Sequence, residues 1–429
     1  MAKSAPALRV QWHDGRLVGK VVVPGATFFG YDETWLAAGH SLSPLAVPFD
    51  SKVFRQRADG FDQLPGFLSD CLPDQWGRRL MARDFLALNV NPTPMRMLAW
   101  VGNRGIGALA FAPALDEAHS GSAWETVTPL LLTREAQAVV QNSPPDTFRH
   151  LLQGGTAGGA YPKATVGRLR NGTLVTRGHV AAARLPGMKL GILKLDTQDD
   201  PLEASTDGRV EAAYLRMARA AGIRTSRARV LSDRASSRPR HHLFVERFDV
   251  APRDRRLHLL SLAGALHRHN LTYVDLLTAT RDLTGDRAQV LEAVRRMCFN
   301  VRSGNADDHG KNHSFLFDGE SGRWTLSPAY DLTPSYSRDR ELRGLFPATF
   351  GASPRRSSLA DVAAEVGVTP AEFDEIDGEV AASVSRWAEH AERLDVPNAL
   401  LSRAAAIQGD LAGSMMSAIS ARSTRRRRW

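Results

Sequence analysis

The apolar and polar positions divide the chain into a strand-patterned first part and a helix-patterned last part. Residues 7–23 alternate as strand, turn and strand, with Asp14-Gly15 as the turn signal. Phe28-Phe29-Gly30-Tyr31 and Trp35-Leu36 make an aromatic patch expected in the core, and Leu42 to Phe49 reads as a further strand. Phe61 to Phe85 reads as helical, with Leu64, Phe67, Leu68 and Cys71 on one face. Val101 to Gly107 is glycine-rich, but Ala108 to Pro113 then predicts a strand. A dinucleotide-binding turn must open a helix, so that reading is set aside. Residues 114–125 read as a polar linker.

A second unit begins near Leu130. Its glycine-rich loop, Gln153 to Ala160, precedes a strand at Lys163 to Val166, and Gly191 to Leu195 is a short strand carrying Lys194 between apolar neighbours. Val210, Tyr214, Met217 and Ala221 recur at helical spacing, with Gly222 as the stop. Strands at Val230-Leu231 and Leu243 to Val245 flank an arginine- and serine-rich turn at 232–240. From Leu257 the pattern is helical, over 258–268, 272–283, 287–301, 359–366, 370–394 and 397–421, interrupted by strands at His313 to Phe317 and Trp324 to Leu326. Residues 337–357, arginine-rich and aperiodic, are expected to be a mobile surface segment. A β-rich part joined to a helical part predicts two lobes, with units at 1–125, 126–250 and 251–429.

At 429 residues the chain can bury a sizeable core. The formal charge of +9 points toward acidic partners such as nucleotides or nucleic acid. Part of that excess lies in the Arg425 to Arg428 tail. Cys71 and Cys298 are the sole cysteines, which excludes a disulfide framework and a cysteine zinc site. With no signal-like apolar run at the N-terminus and no run long enough to span a bilayer, a cytoplasmic protein is expected.

Gly304 to His313 breaks the pattern: acid, imidazole, amine and amide side chains with two glycines and no apolar run. Such ordered polar loops carry function disproportionately. Asp307 and Asn312 stand five apart, the spacing at which kinase catalytic loops hold a base and a magnesium ligand, and Asp331 offers a second metal oxygen. Singly, Asp307 would fit an Asx-turn and Asn312 a helix cap; the shared spacing favours phosphoryl transfer. Lys194 on its strand would meet phosphates, with Glu211 of the next helix to orient it, or would be an edge-strand lysine. His309 and His313 have zinc-like spacing, but Gly310 argues against the helix that a pair of ligands would need.

The segments Asp307-Asp308-His309-Gly310-Lys311-Asn312, Tyr330-Asp331, Lys194 and Val245-Glu246-Arg247-Phe248-Asp249 together resemble the HipA toxins, the serine/threonine kinases of bacterial type II toxin–antitoxin modules. Phe28 through Leu72-Pro73-Asp74 to Gly107-Ala108-Leu109 is similar to that family's N-terminal subdomain. The resemblance implies an α+β, two-lobed protein-kinase-like fold, with a β-rich N-lobe, an extra N-terminal subdomain and a helix-dominated C-lobe. It implies ATP and Mg²⁺ as cofactors. Asp307 would be the catalytic base, and Asn312 and Asp331 the metal ligands. Nucleotide contacts would come from Gly158, Gly159, Ala160, Tyr161, Pro162, Lys163 and Lys194, from Glu246, Arg247 and Phe248 in the lobe link, and from His309, Gly310, Lys311 and Asn312.

Family resemblance further implies phosphorylation of an aminoacyl-tRNA synthetase, best known for glutamate–tRNA ligase, with growth arrest and persistence as the outcome. A HipB-like helix-turn-helix antitoxin would be the neutralising partner, with operator DNA bound through the complex and no membrane partner. Thr156 stands where the family's phosphate loop can carry an autophosphorylated serine, and no Asp-Phe-Gly motif is present. Two other readings stay open here: a DNA-bound co-repressor subunit with dispensable kinase activity, and a small-molecule kinase on the same scaffold.

Overall fold

The first hairpin forms where the alternation predicts it, β1 (Leu8–Trp12) against β2 (Leu17–Val22), with Gly15 at φ 91° in the turn. The computed structural model describes residues 7–23, 26–56, 60–115, 123–154, 159, 161–177, 184–197, 207–234, 239–336 and 344–425. Leu8, Val10 and Trp12 are buried, as period-two alternation requires. After β3 (Phe28–Tyr31) come α1 (Glu33–Ala38) and the short β4 (Phe54–Arg55). The strand expected over 42–49 is irregular instead. Pro44 and Pro48 would each remove a ladder donor, although Leu42 and Val47 still reach the core. The helix expected over 61–85 is likewise three pieces: a turn at Phe61–Gln63, α2 (Gly66–Ser69) and α3 (Gln75–Ala87). Pro65 and Pro73 break it, since proline disfavours helical backbone before it. α4 (Pro94–Val101) leads to β5 (Leu109–Ala112), which completes an antiparallel sheet of order β4-β3-β2-β1-β5.

The second sheet has the order β10-β11-β9-β7-β8-β6. Its elements are β6 (Glu125–Val127), α5 (Pro129–Val140), α6 (Arg149–Gly154), β7 (Lys163–Arg168), β8 (Leu174–Thr176), β9 (Lys189–Lys194), α7 (Gly208–Ala220), β10 (Ala228–Asp233) and β11 (Arg240–Glu246). α7 buries Val210, Tyr214 and Met217 and stops before Gly222 at φ 82°, as expected. β7 and β9 run antiparallel with Lys163 directly opposite Lys194, so the two side chains share a face.

The last part begins with β12 (His258–Ser261) and α8 (Leu262–Leu266), where a single helix over 258–268 was expected. β12 pairs with β13 (Ser314–Asp318), and a partner that distant leaves no local trace in the sequence. α9 (Tyr273–Thr284) opens on a Thr272/Asp275 capping box. α10 (Arg287–Ser303) ends at Gly304, left-handed at φ 73°. β14 (Arg323–Leu326) closes a third sheet, β12-β13-β14.

The expected mobile segment at 337–357 is corrected in part. Residues 337–343 lie outside the described residues, but α11 (Leu345–Phe350) buries Leu345 and Phe346 in the core. Burial of side chains of this size contributes roughly 2 kcal/mol each. Four further helices follow: α12 (Arg356–Ala364), α13 (Pro370–Val384), α14 (Trp387–Glu392) and α15 (Asn398–Arg425). The helix expected over 370–394 is thus divided at Ser385-Arg386. Among the described residues no helix is long and apolar enough to cross a membrane.

Candidate active site

The polar loop leaves α10 at Gly304 and is tied down from beneath. Asn305 donates to the Asn300 side chain at 3.1 Å, Asn300 donates to the Tyr273 hydroxyl at 3.1 Å, and that hydroxyl donates to Asp308. The Phe346 N–H reaches both Asp308 oxygens, at 3.1 and 3.2 Å. Burial pushes the Asp308 carboxyl up to about 7, against the hydrogen bonds it accepts. Asp308 is therefore an interior anchor.

Its neighbour Asp307 is exposed. Ser335 Oγ accepts from the Ala306 and Asp307 N–H groups at 2.9 and 3.1 Å, and the Asn312 amide donates to the Asp307 carbonyl at 2.7 Å. The loop backbone is thus held on both sides while the Asp307 carboxylate stays reachable. Partial desolvation by the surrounding protein raises its pKa; His309 opposes that shift and the Asp331 charge adds to it. Tyr330 donates to the Lys311 carbonyl at 2.7 Å, coupling the loop to the Tyr330-Asp331 pair.

Lys194 Nζ donates to both Glu211 oxygens, at 2.8 and 2.7 Å, and to Asp331. The lysine–glutamate pairing expected from sequence is present. Burial disfavours the Lys194 charge, but Asp331 and Glu211 outweigh it and raise the pKa. Asp331 stays ionised: burial would raise it, and Lys194 and Lys163 pull it below the usual carboxylate range. Its backbone is left-handed at φ 53°, a conformation that costs an L-residue about 1–2 kcal/mol and is often found at functional sites. Lys163 is buried; desolvation, reinforced by Lys194, lowers its pKa to about 8 against the pull of Asp331.

Of the glycine-loop residues, Gly158, Ala160 and Thr156 lie outside the described residues. Gly159 rests its backbone against the Lys163 ammonium at φ 106°, a conformation that glycine adopts without strain. Tyr161 is exposed and the Pro162 carbonyl accepts from Leu195. His309 is half-buried among the charges of Asp307 and Asp331. Gly310 is packed between Leu271 and α8, where a Cβ would stand 2.6 Å from Leu271 Cδ1 and 3.3 Å from Ala263 Cβ. Lys311 turns to the N-terminal unit and donates to Asp74 at 2.7 Å.

In the lobe link, the Glu246 N–H donates to Arg227 and the Arg247 N–H to Leu190, leaving the Phe248 N–H without an acceptor among the described residues. The Arg247 guanidinium is buried on Asp249, which also takes Arg256 and the Gly107 N–H. Burial opposes ionisation of Asp249, but Arg247 and Arg256 hold its pKa well below the usual range. Arg247, which also donates to the Gly105 carbonyl at 3.1 Å, thus anchors the link to the N-terminal unit, and its guanidinium is committed there.

Sequence reasoning singled out neither Asp74 nor Ser335 for the site. Both act on segments far along the chain, and neither carries a local signal for that role.

Comparison with known proteins follows the same geography. Residues 8–112 match the HipA N-terminal domain, and residues 155–388, more than half of the chain, match the HipA-like C-terminal domain. The chain belongs to the HipA family. This HipA-family chain is 28% identical over 346 residues to "Putative kinase Y4mE" of Sinorhizobium fredii (strain NBRC 101917 / NGR234), with 75% of this chain and 76% of the relative covered. Its fold is similar to that of a chain from the complex of HipA, HipB and operator DNA of the Shewanella oneidensis MR-1 toxin–antitoxin system. The TM-score is 0.65 at 17% identity, covering 95% of this chain and 96% of that one. This likeness shows a shared kinase-like, mixed α/β fold. A likeness to the Helicobacter pylori proinflammatory kinase CtkA, with a TM-score of 0.30 at 11% identity over 58% of this chain and 93% of that one, is too slight to bear on function.

Proposed function

We propose that this HipA-family chain is an ATP- and magnesium-dependent serine/threonine protein kinase. The supporting observation is Lys194, held at once by Glu211 of α7 and by Asp331 next to the catalytic-type loop. A strand lysine with those two partners is the arrangement phosphoryl transfer needs for holding nucleotide phosphates.

The residues present suit both cofactors. Lys163 and Lys194 put two cations on one sheet face beside a glycine backbone, and Asp331 is an ionised carboxylate. The Asn312 side-chain oxygen has no donor among the described residues, while its amide nitrogen is fixed on the Asp307 carbonyl. Asn312 and Asp331 thus offer the hard oxygen ligands magnesium prefers. When bound, ATP and magnesium supply the transferable phosphoryl group and the cation that neutralises it.

The chain's own groups do the rest. Lys163 and Lys194 orient the phosphates, and the Phe248 N–H takes an adenine acceptor. Asp307 orients the acceptor hydroxyl and takes its proton. Because burial and Asp331 raise the pKa of this base, activity rises with pH through a limb above that of an ordinary aspartate.

The substrate in this reading is a protein hydroxyl, on an aminoacyl-tRNA synthetase and by family resemblance glutamate–tRNA ligase. A HipB-like antitoxin with its operator DNA is the partner, and Thr156 is the self-phosphorylation site. Label transfer from ATP, with Asp307→Asn as the control, tests the catalytic assignment. The variant is expected to lose at least 100-fold in rate, as loss of a general base does. Equal transfer by wild type and variant refutes it. Phosphoproteomics after induced expression then identifies the target.

A further inference from the structure

We propose that Asp74, in the N-terminal unit, is a positioning residue that clamps the phosphate loop to the catalytic loop. The inference rests on the nucleotide reading of the site given above.

Asp74 occupies the N-cap position of α3, where an aspartate ordinarily caps its own helix. Here its side chain makes no capping bond. One oxygen accepts from the Gly159 N–H at 2.9 Å and the other from Lys311 Nζ at 2.7 Å. A residue at position 74 thus joins segments at 159 and 311.

The following helical turn adds two more ties. The Trp76 N–H donates to the Gly159 carbonyl at 3.3 Å, and the buried Trp76 indole donates to the Lys163 carbonyl at 3.0 Å. Gly159 and Lys163 are neighbours in space, because the Gly159 backbone lies against the Lys163 ammonium. Lys311 in turn is held through its carbonyl by Tyr330, beside Asp331. The corner of α3 therefore touches both sides of the cleft: the glycine backbone and strand lysine above, the loop of Asp307 and Asn312 below. Charge-assisted bonds of this kind are short, directional and stronger than neutral ones, which suits them to holding two loops at a fixed separation. Separations of this sort set phosphoryl-transfer rates, because misplacement of about 1 Å can cost roughly 100-fold.

The test uses the full chain. Asp74→Asn retains the shape, and its one remaining oxygen pairs with the charged Lys311 ammonium, so its NH₂ group turns toward the Gly159 N–H and that tie is lost. Without nucleotide, hydrogen exchange in the peptide containing Gly159 is expected to speed up about 10-fold or more in the variant, as expected for an amide that loses its acceptor. With nucleotide, binding of a fluorescent ATP analogue weakens, and both KM for ATP and kcat change. Arg78→Met, which removes the Arg78–Asp62 pair of the same helix, is the control and leaves exchange and affinity as in wild type. Lys311→Met serves if Asp74→Asn does not fold; it retains the Gly159 tie, so kcat falls while exchange at Gly159 stays near wild type.

Wild-type exchange and affinity in Asp74→Asn overturn the clamp. So does an equal effect of Arg78→Met, which would trace the change to the helix as a whole. A wild-type protein that neither binds the analogue nor transfers label overturns the kinase reading instead, and the exchange comparison without nucleotide still decides the clamp.

Discussion

Asp249→Asn probes the joint between the N-terminal unit and the lobe link. The carboxylate is buried, and one oxygen, Oδ2, accepts from Arg247 at 2.7 Å, Arg256 at 2.9 Å and the Gly107 N–H at 2.8 Å. The other takes Arg247 Nε at 2.9 Å. An asparagine placed with its oxygen at the first position points its NH₂ at Arg247 Nε; the reverse placement opposes three donors. Either way two buried guanidiniums lose their counter-charge. Removing one partner of a buried ion pair costs about 3–5 kcal/mol. With an unfolding entropy of about 2.1 cal/mol/K per residue, that corresponds to a drop of about 3–6 °C if the whole chain melts as one unit, and more if the N-terminal unit melts separately.

Calorimetry at pH 7 reads the loss. Because the folded pKa of Asp249 is depressed, its stabilisation is present above the unfolded value near 4 and fades as pH falls below it. The two melting curves should therefore converge in acid. A variant melting within about 1 °C of wild type at pH 7, or one whose deficit persists unchanged in acid, refutes the assignment of this energy to the buried charges.

Two further expectations follow from shifted groups. With Lys163 lowered to about 8, raising the pH above that value removes one of the two lysine charges on that sheet face, which the proposed function assigns to nucleotide phosphates. Apparent ATP affinity is expected to fall roughly 10-fold or more by pH 9.5 in wild type and to stay nearly flat in Lys163→Arg; parallel pH profiles would refute it. Asp308, raised to about 7, holds a proton in the folded state that the unfolded chain releases near pH 4, so its stability contribution declines as pH rises from about 4 to about 7. Asp308→Asn is expected to remove up to about 4 kcal/mol of that slope. Urea midpoints at pH 5 and pH 7.5 measure it, and an unchanged slope rejects it.

The parts of the site legible in the sequence are those whose signal is local. The Asp307–Asn312 spacing, the lysine in an apolar strand and the Glu211 helix could all be read within short windows, and the structure brings Lys194, Glu211 and Asp331 together. Misreadings arose where local pattern and chain context disagree. Leu42 to Phe49 and Phe61 to Phe85 have the apolar spacing of regular elements, but their prolines cut them. His258 to Ser261 is a strand only because Ser314 to Phe317 lies beside it. Leu345 and Phe346 sit in an arginine-rich stretch that masks their apolar character, and they are buried because Asp308 and the core accept them. Asp74, finally, carries an ordinary helix-cap signature and spends its side chain elsewhere.

The pairing of Lys163 with Lys194 has a consequence for how the chain tolerates change in length. Side chains alternate along β7 and β9, so adding or removing one residue within either strand would send its lysine through the sheet to the opposite face. The same insertion in the connection between β8 and β9 alters no pairing. A scan of single-residue insertions should therefore show a sharp boundary, with nucleotide binding abolished inside Lys163–Arg168 and Lys189–Lys194 and retained a few residues away.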